Sequence, residues 1–323
     1  MNSTLRSDPF MSRLKRGGAA FLRRLAAYRT LLLMLLPAVA LVFVFSYVPM
    51  FGAVLAFKKY NMTLGVFKSP WIQPIFKNFQ VFFKTGKAFS VTRNTALYNL
   101  AFIATSTFFE VFFAVVLNEM RSRRGKKLLQ SAIFLPYFIS WVIVGSIAYS
   151  LFNYETGTLN GLITSLGGKK IDFYQKKGYW PFIIVFFNAW KGVGYGTVVY
   201  LAAIVGIDTS IVEAAEIDGA NIFQRIRYVT IPSLTSTIIT LTLLALGRVF
   251  RGNLDLFYQL VGNSGTLFNT TDVIDTYVFR LMFNSKDNGR ITAIGLYQSV
   301  LCFFTIILAN YIVKKKNPDY SLF

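Results

Sequence analysis

The sequence predicts an all-α polytopic membrane protein with six transmembrane helices, and three observations predict it. Of 323 residues, 54% are hydrophobic and only 15% are charged, where a soluble domain carries about 25% charged residues. Six apolar stretches reach or approach the ~20 residues that cross a hydrocarbon core. Basic residues gather at the ends of those stretches and in short loops. The net charge of +20 therefore reads as contact with anionic membrane lipid rather than nucleic acid, for which an aromatic-interleaved basic patch is missing. The single cysteine, Cys302, lies inside the last apolar stretch and histidine is absent. That composition removes disulfides, imidazole proton shuttles and nearly all transition-metal sites.

Residues 1–29 form a basic tail with seven Lys and Arg against one acid, Asp8. No small-residue cleavage site follows the first apolar stretch, so the tail is expected to stay uncleaved and cytoplasmic, with residues 21–28 as an amphipathic stretch on the inner leaflet. The first span is expected over residues 30–51, with Pro37 inside it. A polar and aromatic segment then runs to Arg93. Pro70, Trp71 and Pro74 break it too often for a span, and its aromatic residues suit an outer interface.

Spans two and three are expected over residues 95–117 and 129–152. Between them, residues 118–127 carry five positive charges in ten positions, the clearest cytoplasmic signal in the chain. Residues 153–180, which include Gly157, Gly161, Gly167 and Gly168, would face outward. Span four covers residues 181–205, span five 233–249 and span six 291–313, with a long polar segment over residues 251–290. Lys314, Lys315 and Lys316 close the chain as a stop-transfer pattern. Six spans with both termini cytoplasmic is the only count that keeps both basic ends and the basic loop on one side.

This topology puts residues 208–232 on the cytoplasmic side. Asp208 is a good N-cap for a short helix over residues 211–217, with acids in its first turns as the macrodipole favours. Gly219 breaks that helix where a side chain would be penalised, by positive φ or by close approach to another backbone. Asn221 can cap a second short helix over residues 222–228, and Ile231-Pro232 would then re-enter the membrane. The expected product is a helix, turn and helix lying crosswise at the membrane face. On physical grounds alone an ordinary amphipathic loop fits equally well.

The residue pattern resembles the EAA loop of ABC-importer permeases. It matches at Glu213, Ala214, Ala215, Asp218, Gly219, Ala220, Ile231 and Pro232, with the family's spacing. Asn94-Thr95-Ala96-Leu97 is similar to the opening of the type I permease core, and residues 135–142, Leu-Pro-Tyr-Phe-Ile-Ser-Trp-Val, resemble the proline-containing stretch of sugar permeases. Residues 47–52 with Ala56-Phe57-Lys58 look like the opening segment of the polysaccharide or lipoprotein-type oligosaccharide permease branch. The resemblance covers nearly all of the chain after residue 28.

It implies a type I ABC importer permease fold in a bacterial cytoplasmic membrane. Residues 1–29 would be the tail, 30–93 the first helix and outer loop, 94–313 a core of five helices, and 314–323 a cytoplasmic tail. It also implies a second homologous permease subunit, two copies of a cytoplasmic ATPase subunit bound below the pair, with the EAA loop docked in an ATPase groove, and an extracytoplasmic sugar-binding protein. This chain lacks a G-x-x-x-x-G-K-[ST] phosphate loop, so it is expected to be no enzyme and to bind no cofactor. ATP and Mg would sit on the partner ATPase.

A substrate path needs polar and aromatic groups inside the spans, where they are costly against lipid. Asn99, Glu110, Asn188, Trp190, Lys191, Tyr195, Tyr200, Arg248 and Tyr258 are the candidates, against a competing reading of interhelical packing or snorkelling for each. Asn188, Trp190 and Lys191 cluster beside Gly192, Gly194 and Gly196, which permit close helix approach or a local break. Lys191 and Arg248 want an acidic partner, either Glu110 or the carboxylates of a uronate oligosaccharide. Two other classes remain open at this point: an ion-coupled secondary sugar transporter, and a polytopic membrane enzyme. The enzyme would need a carboxylate pair or a metal-binding constellation at a membrane face, and the nearest pair, Asp272 with Asp275, has no cation-binding pattern around it and is expected to be part of a solvated loop.

Overall fold

The computed structural model describes residues 27–285 and 287–323, so the readings made for residues 1–26 lie outside the described residues. The chain divides into two units, Met1–Leu55 and Ala56–Phe323. In the first, α1 (Arg29–Val42) keeps Pro37 inside it and is followed by a π turn at Phe43–Tyr47 and a 3-10 stretch, Val48–Phe57. Arg29–Phe57 as a whole is long and apolar enough to span.

The second unit is helical, and its one β-type pairing among the described residues is an isolated bridge between Lys58 and Trp71. After a short α2 (Lys77–Lys84) come α3 (Lys87–Glu119), α4 (Arg123–Phe134), α5 (Trp141–Phe152) and α6 (Trp180–Val205). They are followed by α7 (Thr209–Ile217), α8 (Ile222–Arg225), α9 (Ile231–Leu246), α10 (Leu254–Val261), α11 (Ile274–Asn284) and α12 (Asn288–Lys316). Helices α3 and α6 pack against each other, and α5, α6 and α10 close the largest buried cluster around Trp180, Phe187, Phe257 and Leu260.

All six apolar segments are helical, but the third is not one straight helix. Arg123–Phe138 and Trp141–Phe152 meet at a bend of 98°, so five of the spans are continuous and the third is a bent pair. Pro136 opens a 3-10 turn, Leu135–Phe138, and the Ser140 side chain then caps α5 by accepting from the Ile143 N–H. Proline removes one helical hydrogen bond and crowds the preceding turn. The bend fits against α6 because Gly194 has no side chain: a Cβ there would run into the Ile133 carbonyl and the Phe134 backbone. Gly194 thus serves close approach, as Gly196 does against Glu110, while a Cβ at Gly192 would meet nothing within 4 Å, and the helix has no break. Gly194→Val is expected to lower stability by about 1–3 kcal/mol, toward the upper end because the obstacle is backbone. Thermal unfolding of the detergent-solubilised protein measures it.

The fifth segment also differs from expectation. Helix α8, a π turn at Ile226–Thr230 and α9 run on without a loop, so that Ile222–Leu246 forms a single rod. Pro232 lacks an N–H, and the wider turn just before it absorbs the missing bond. The expected second crosswise helix over residues 222–228 is therefore the first two turns of the span, and only α7 stands apart.

Much of the polar segment between residues 254 and 276 is packed as core rather than as a solvated loop. Leu256, Phe257, Leu260, Leu267 and Val273 are all nearly inaccessible. Asp272 is 5% exposed and pairs with Arg280 at 2.5 Å, while it also accepts from the Thr276 hydroxyl at 2.6 Å. The Asp275 carboxylate accepts from the Gly252 N–H at 2.6 Å and from the Gln298 amide at 3.0 Å. Both acids are thus used up in holding helices together. The start of α3 is fastened to the same segment by Asn94, which donates to the carbonyls of Asn269 and Asp272, and by Tyr98, which donates to that of Thr270.

Candidate functional site

Two places in the second unit combine polar chemistry with exposure. The first is α7 and its turn. Asp208 caps α7 by accepting from the Ser210 N–H at 2.9 Å, and the hydrogen bonds from the Ser210 backbone and hydroxyl hold its carboxyl below the usual range. At the other end Gly219 has φ +80°. The Ala220 N–H reaches back to the Ala215 carbonyl at 2.9 Å and the Gly219 N–H to that of Glu216 at 3.0 Å. This is the Schellman pattern, in which a left-handed residue lets two late carbonyls find donors. Nothing lies within 4 Å of a Cβ built at Gly219, so it is the positive φ, not crowding, that calls for glycine.

Asn221 and Gln224 then form a reciprocal capping box that starts α8. The turn between α7 and α8 is defined by local hydrogen bonds at both ends. Helix α7 itself has no buried residue, and Glu213, Ala214, Asp218 and Gly219 are exposed, with Ala215 and Ala220 half-buried. A rigidly turned, accessible helix that stands off the bundle is suited to being gripped by another protein.

The second place is a pair of adjoining cavities beside the bend. One, of about 620 Å³, is lined by Tyr137, Ser140, Trp141, Asn188, Lys191, Asn253 and Asp255 among others. The other, of about 430 Å³, has Asn99, Asn188, Arg248, Arg251 and Asn253 in its wall. Asn188 and Asn253 belong to both. Lys191 sits 11 residues into α6, which at about 1.5 Å per residue places it roughly 17 Å along the helix, near its middle.

The bend explains how Lys191 is held. Its ammonium donates to the Tyr137 carbonyl at 2.7 Å and to the Pro136 carbonyl at 3.4 Å, both at the break in the helix. It also lies 5.6 Å from the Tyr137 ring and 5.4 Å from the Trp141 ring. Tyr195 stacks on Tyr137 with ring centroids 5.1 Å apart. No carboxylate among the described residues pairs with Lys191 or Arg248.

The structure therefore brings Asn99, Asn188, Lys191, Tyr195 and Arg248 to one region and leaves the other candidates elsewhere. Glu110 is not the partner of either cation: it lies against Gly196, whose missing side chain makes room for its carboxylate. Trp190 turns away from the polar cavities and lines an apolar one of about 390 Å³ with Phe109, Phe113 and Pro136. Tyr200 is 1% exposed in a packed cluster, and Tyr258 rests edge-on against Phe279. Tyr137, Trp141, Arg251, Asn253 and Asp255 join the cavities without having been candidates for the substrate path. Each belongs to a segment read from the sequence either as the third span or as the polar stretch over residues 251–290.

Residues 110–318 match the family described as "Binding-protein-dependent transport system inner membrane component". The chain is 34% identical over 302 residues to Protein LplB of Bacillus subtilis (strain 168), covering 94% of each. It is 32% identical to the polygalacturonan/rhamnogalacturonan transport system permease protein YteP of the same organism, over 92% of this chain and 91% of the other. Among solved structures it resembles a chain of a bacterial ABC transporter involved in the import of the acidic polysaccharide alginate. The TM-score is 0.83 and the identity 28%, with 92% of this chain and 99% of that one covered. A second structure, of a bacterial alginate ABC transporter in complex with an alginate pentasaccharide-bound periplasmic protein, matches with TM-score 0.81 and 27% identity, over 91% and 96%.

Proposed function

The chain belongs to the binding-protein-dependent transport system inner membrane component family, and on that premise we propose that it is the permease subunit of an ATP-driven importer of acidic, uronate-type oligosaccharides. It is a multi-pass component of the cytoplasmic membrane and a permease rather than an enzyme. In the proposed assembly it pairs with a second, homologous permease. Two ATPase subunits carrying ATP and Mg bind below the permease pair, one of them docked on α7 and its turn, and a sugar-binding protein delivers substrate from outside. Both termini are cytoplasmic, and residues 94–313 form the five-helix core. Nucleotide and ligand then shift the balance between inward-open and outward-open packings.

The observation that carries the acidic substrate is the setting of Lys191. A cation in the middle of a span is costly unless it faces a cavity or a counter-charge, and this one is held only by neutral carbonyls and aromatic faces. Those contacts aim the ammonium but leave its charge uncancelled, so a ligand carboxylate can supply the counter-ion. Arg248 and Arg251 line the adjoining cavity. Asparagine amides suit hydroxyl groups, and Tyr137, Trp141 and Tyr195 offer ring faces for sugars. The similarity to permeases and transporters of polygalacturonan and alginate supports the same reading.

Hydrogen bonds to charged groups contribute about 1.5–3 kcal/mol. Lys191→Gln and Arg248→Ala are therefore each expected to reduce uptake of a uronate trisaccharide by the reconstituted complex about 10- to 100-fold. Uptake unchanged in both variants would dismiss the acidic substrate. The same assay on a neutral trisaccharide of equal length separates loss of charge recognition from loss of the path.

A further inference from the structure

Helix α7 has no buried residue and is joined to the bundle by short turns, so its side-chain contacts decide which membrane helices, beyond the two it adjoins, move with it. We propose that Arg225 is a positioning residue that ties α7 to the end of α3, so that a displacement of α7 reaches α3 as well as the directly connected α6 and α9. The inference rests on the reading that α7 is where the ATPase docks.

Arg225 lies in the first turn of the Ile222–Leu246 rod. Its guanidinium forms an ion pair with Glu216 in the last turn of α7, and its Nη2 lies 3.6 Å from the carboxylate of Glu119, the last residue of α3. The side chains of Arg225 and Glu119 are each 21% exposed, so the contact is shielded more than an ordinary surface pair. Glu119 is steadied by the Asn118 amide, which donates to it at 3.1 Å. One guanidinium thus joins three elements that are 9 residues apart along the chain on one side and 106 on the other.

The node is also unbalanced, with two carboxylates facing one guanidinium and the buried Nε of Arg225 left without an acceptor. A cation shared between two acids has two arrangements available, one closer to Glu216 and one closer to Glu119. Exchange between them lets α7 rotate about the Gly219 turn without losing its tie to α3. A two-position element biased from either side is what coupling between distant sites requires.

The test uses the full complex of two permeases, ATPase and binding protein in proteoliposomes, scored as substrate transported per ATP hydrolysed. Arg225→Gln and Glu119→Gln are each expected to lower that ratio about tenfold, within the range of ordinary coupling free energies, while hydrolysis stays within about twofold and the ATPase co-purifies. The double variant is expected to be no worse than either single one, since both remove the same link. Glu119→Gln leaves the docking loop untouched, so it decides the matter where Arg225→Gln fails to assemble. A normal ratio in Glu119→Gln, or fully additive losses, would overturn the proposal. If Gly219→Pro couples normally, the docking reading fails instead; if it uncouples while Glu119→Gln does not, only the tie to α3 is wrong.

Discussion

Asp272→Ala is expected to destabilise the protein by about 3–5 kcal/mol, because removing one partner of a buried ion pair leaves the other charge uncompensated. Asp272 is 5% exposed, and Arg280, 2.5 Å from it, is also stacked 4.0 Å from the centre of the Phe268 ring. Without the carboxylate, that guanidinium loses its acceptor and the Thr276 hydroxyl keeps only the Val273 carbonyl at 3.0 Å, inside the segment that fastens the start of α3. Asp272→Asn keeps the volume but removes the charge, and should fall between wild type and Asp272→Ala. Replacing both ends, as Asp272→Leu with Arg280→Met, should recover much of the loss, since apolar pairs of similar shape often substitute for buried ion pairs at small cost. Thermal unfolding in detergent, followed by size-exclusion chromatography, ranks the four proteins. A single variant as stable as wild type would show that the pair is not structural.

Gly219→Pro is expected to abolish coupling without removing the subunits from the membrane. Proline holds φ near −65° and has no N–H, whereas Gly219 sits at φ +80° and donates to the Glu216 carbonyl at 3.0 Å. Losing the turn at a cost of about 3 kcal/mol lowers the population of the correctly aimed α7, and with it ATP-driven uptake, about 100-fold. Gly219→Ala is the graded control. Its Cβ meets nothing within 4 Å, so it pays only for the left-handed backbone, about 1–2 kcal/mol, and uptake should drop about tenfold. Uptake by proteoliposomes at matched expression reads both, and normal transport in Gly219→Pro would remove α7 from the coupling route.

The two prolines show where a local reading stops. Pro37 and Pro136 both stand inside apolar stretches, and each is tolerable in a membrane helix if neighbours take up the freed carbonyls. Pro37 stays inside α1, whereas Pro136 begins a 98° bend. The difference at Pro136 comes from α6: Gly194 admits the Ile133 backbone, and Lys191, 54 and 55 residues away, takes the carbonyls of Tyr137 and Pro136. Nothing within a window of 20 residues encodes that meeting.

By itself the sequence determined the membrane class, the six apolar segments and the α7 turn with its caps at Asp208 and Asn221, because transfer of side chains into lipid and the capping of helix ends are governed by residues close together in the chain. Only the tertiary structure decided that the third span bends, that much of residues 254–276 is core, that Glu110 faces Gly196 rather than a cation, and that Arg225 reaches Glu119. Each of these depends on which surfaces meet across tens to hundreds of residues. A charge or a glycine carries no mark of its partner until the helices are packed.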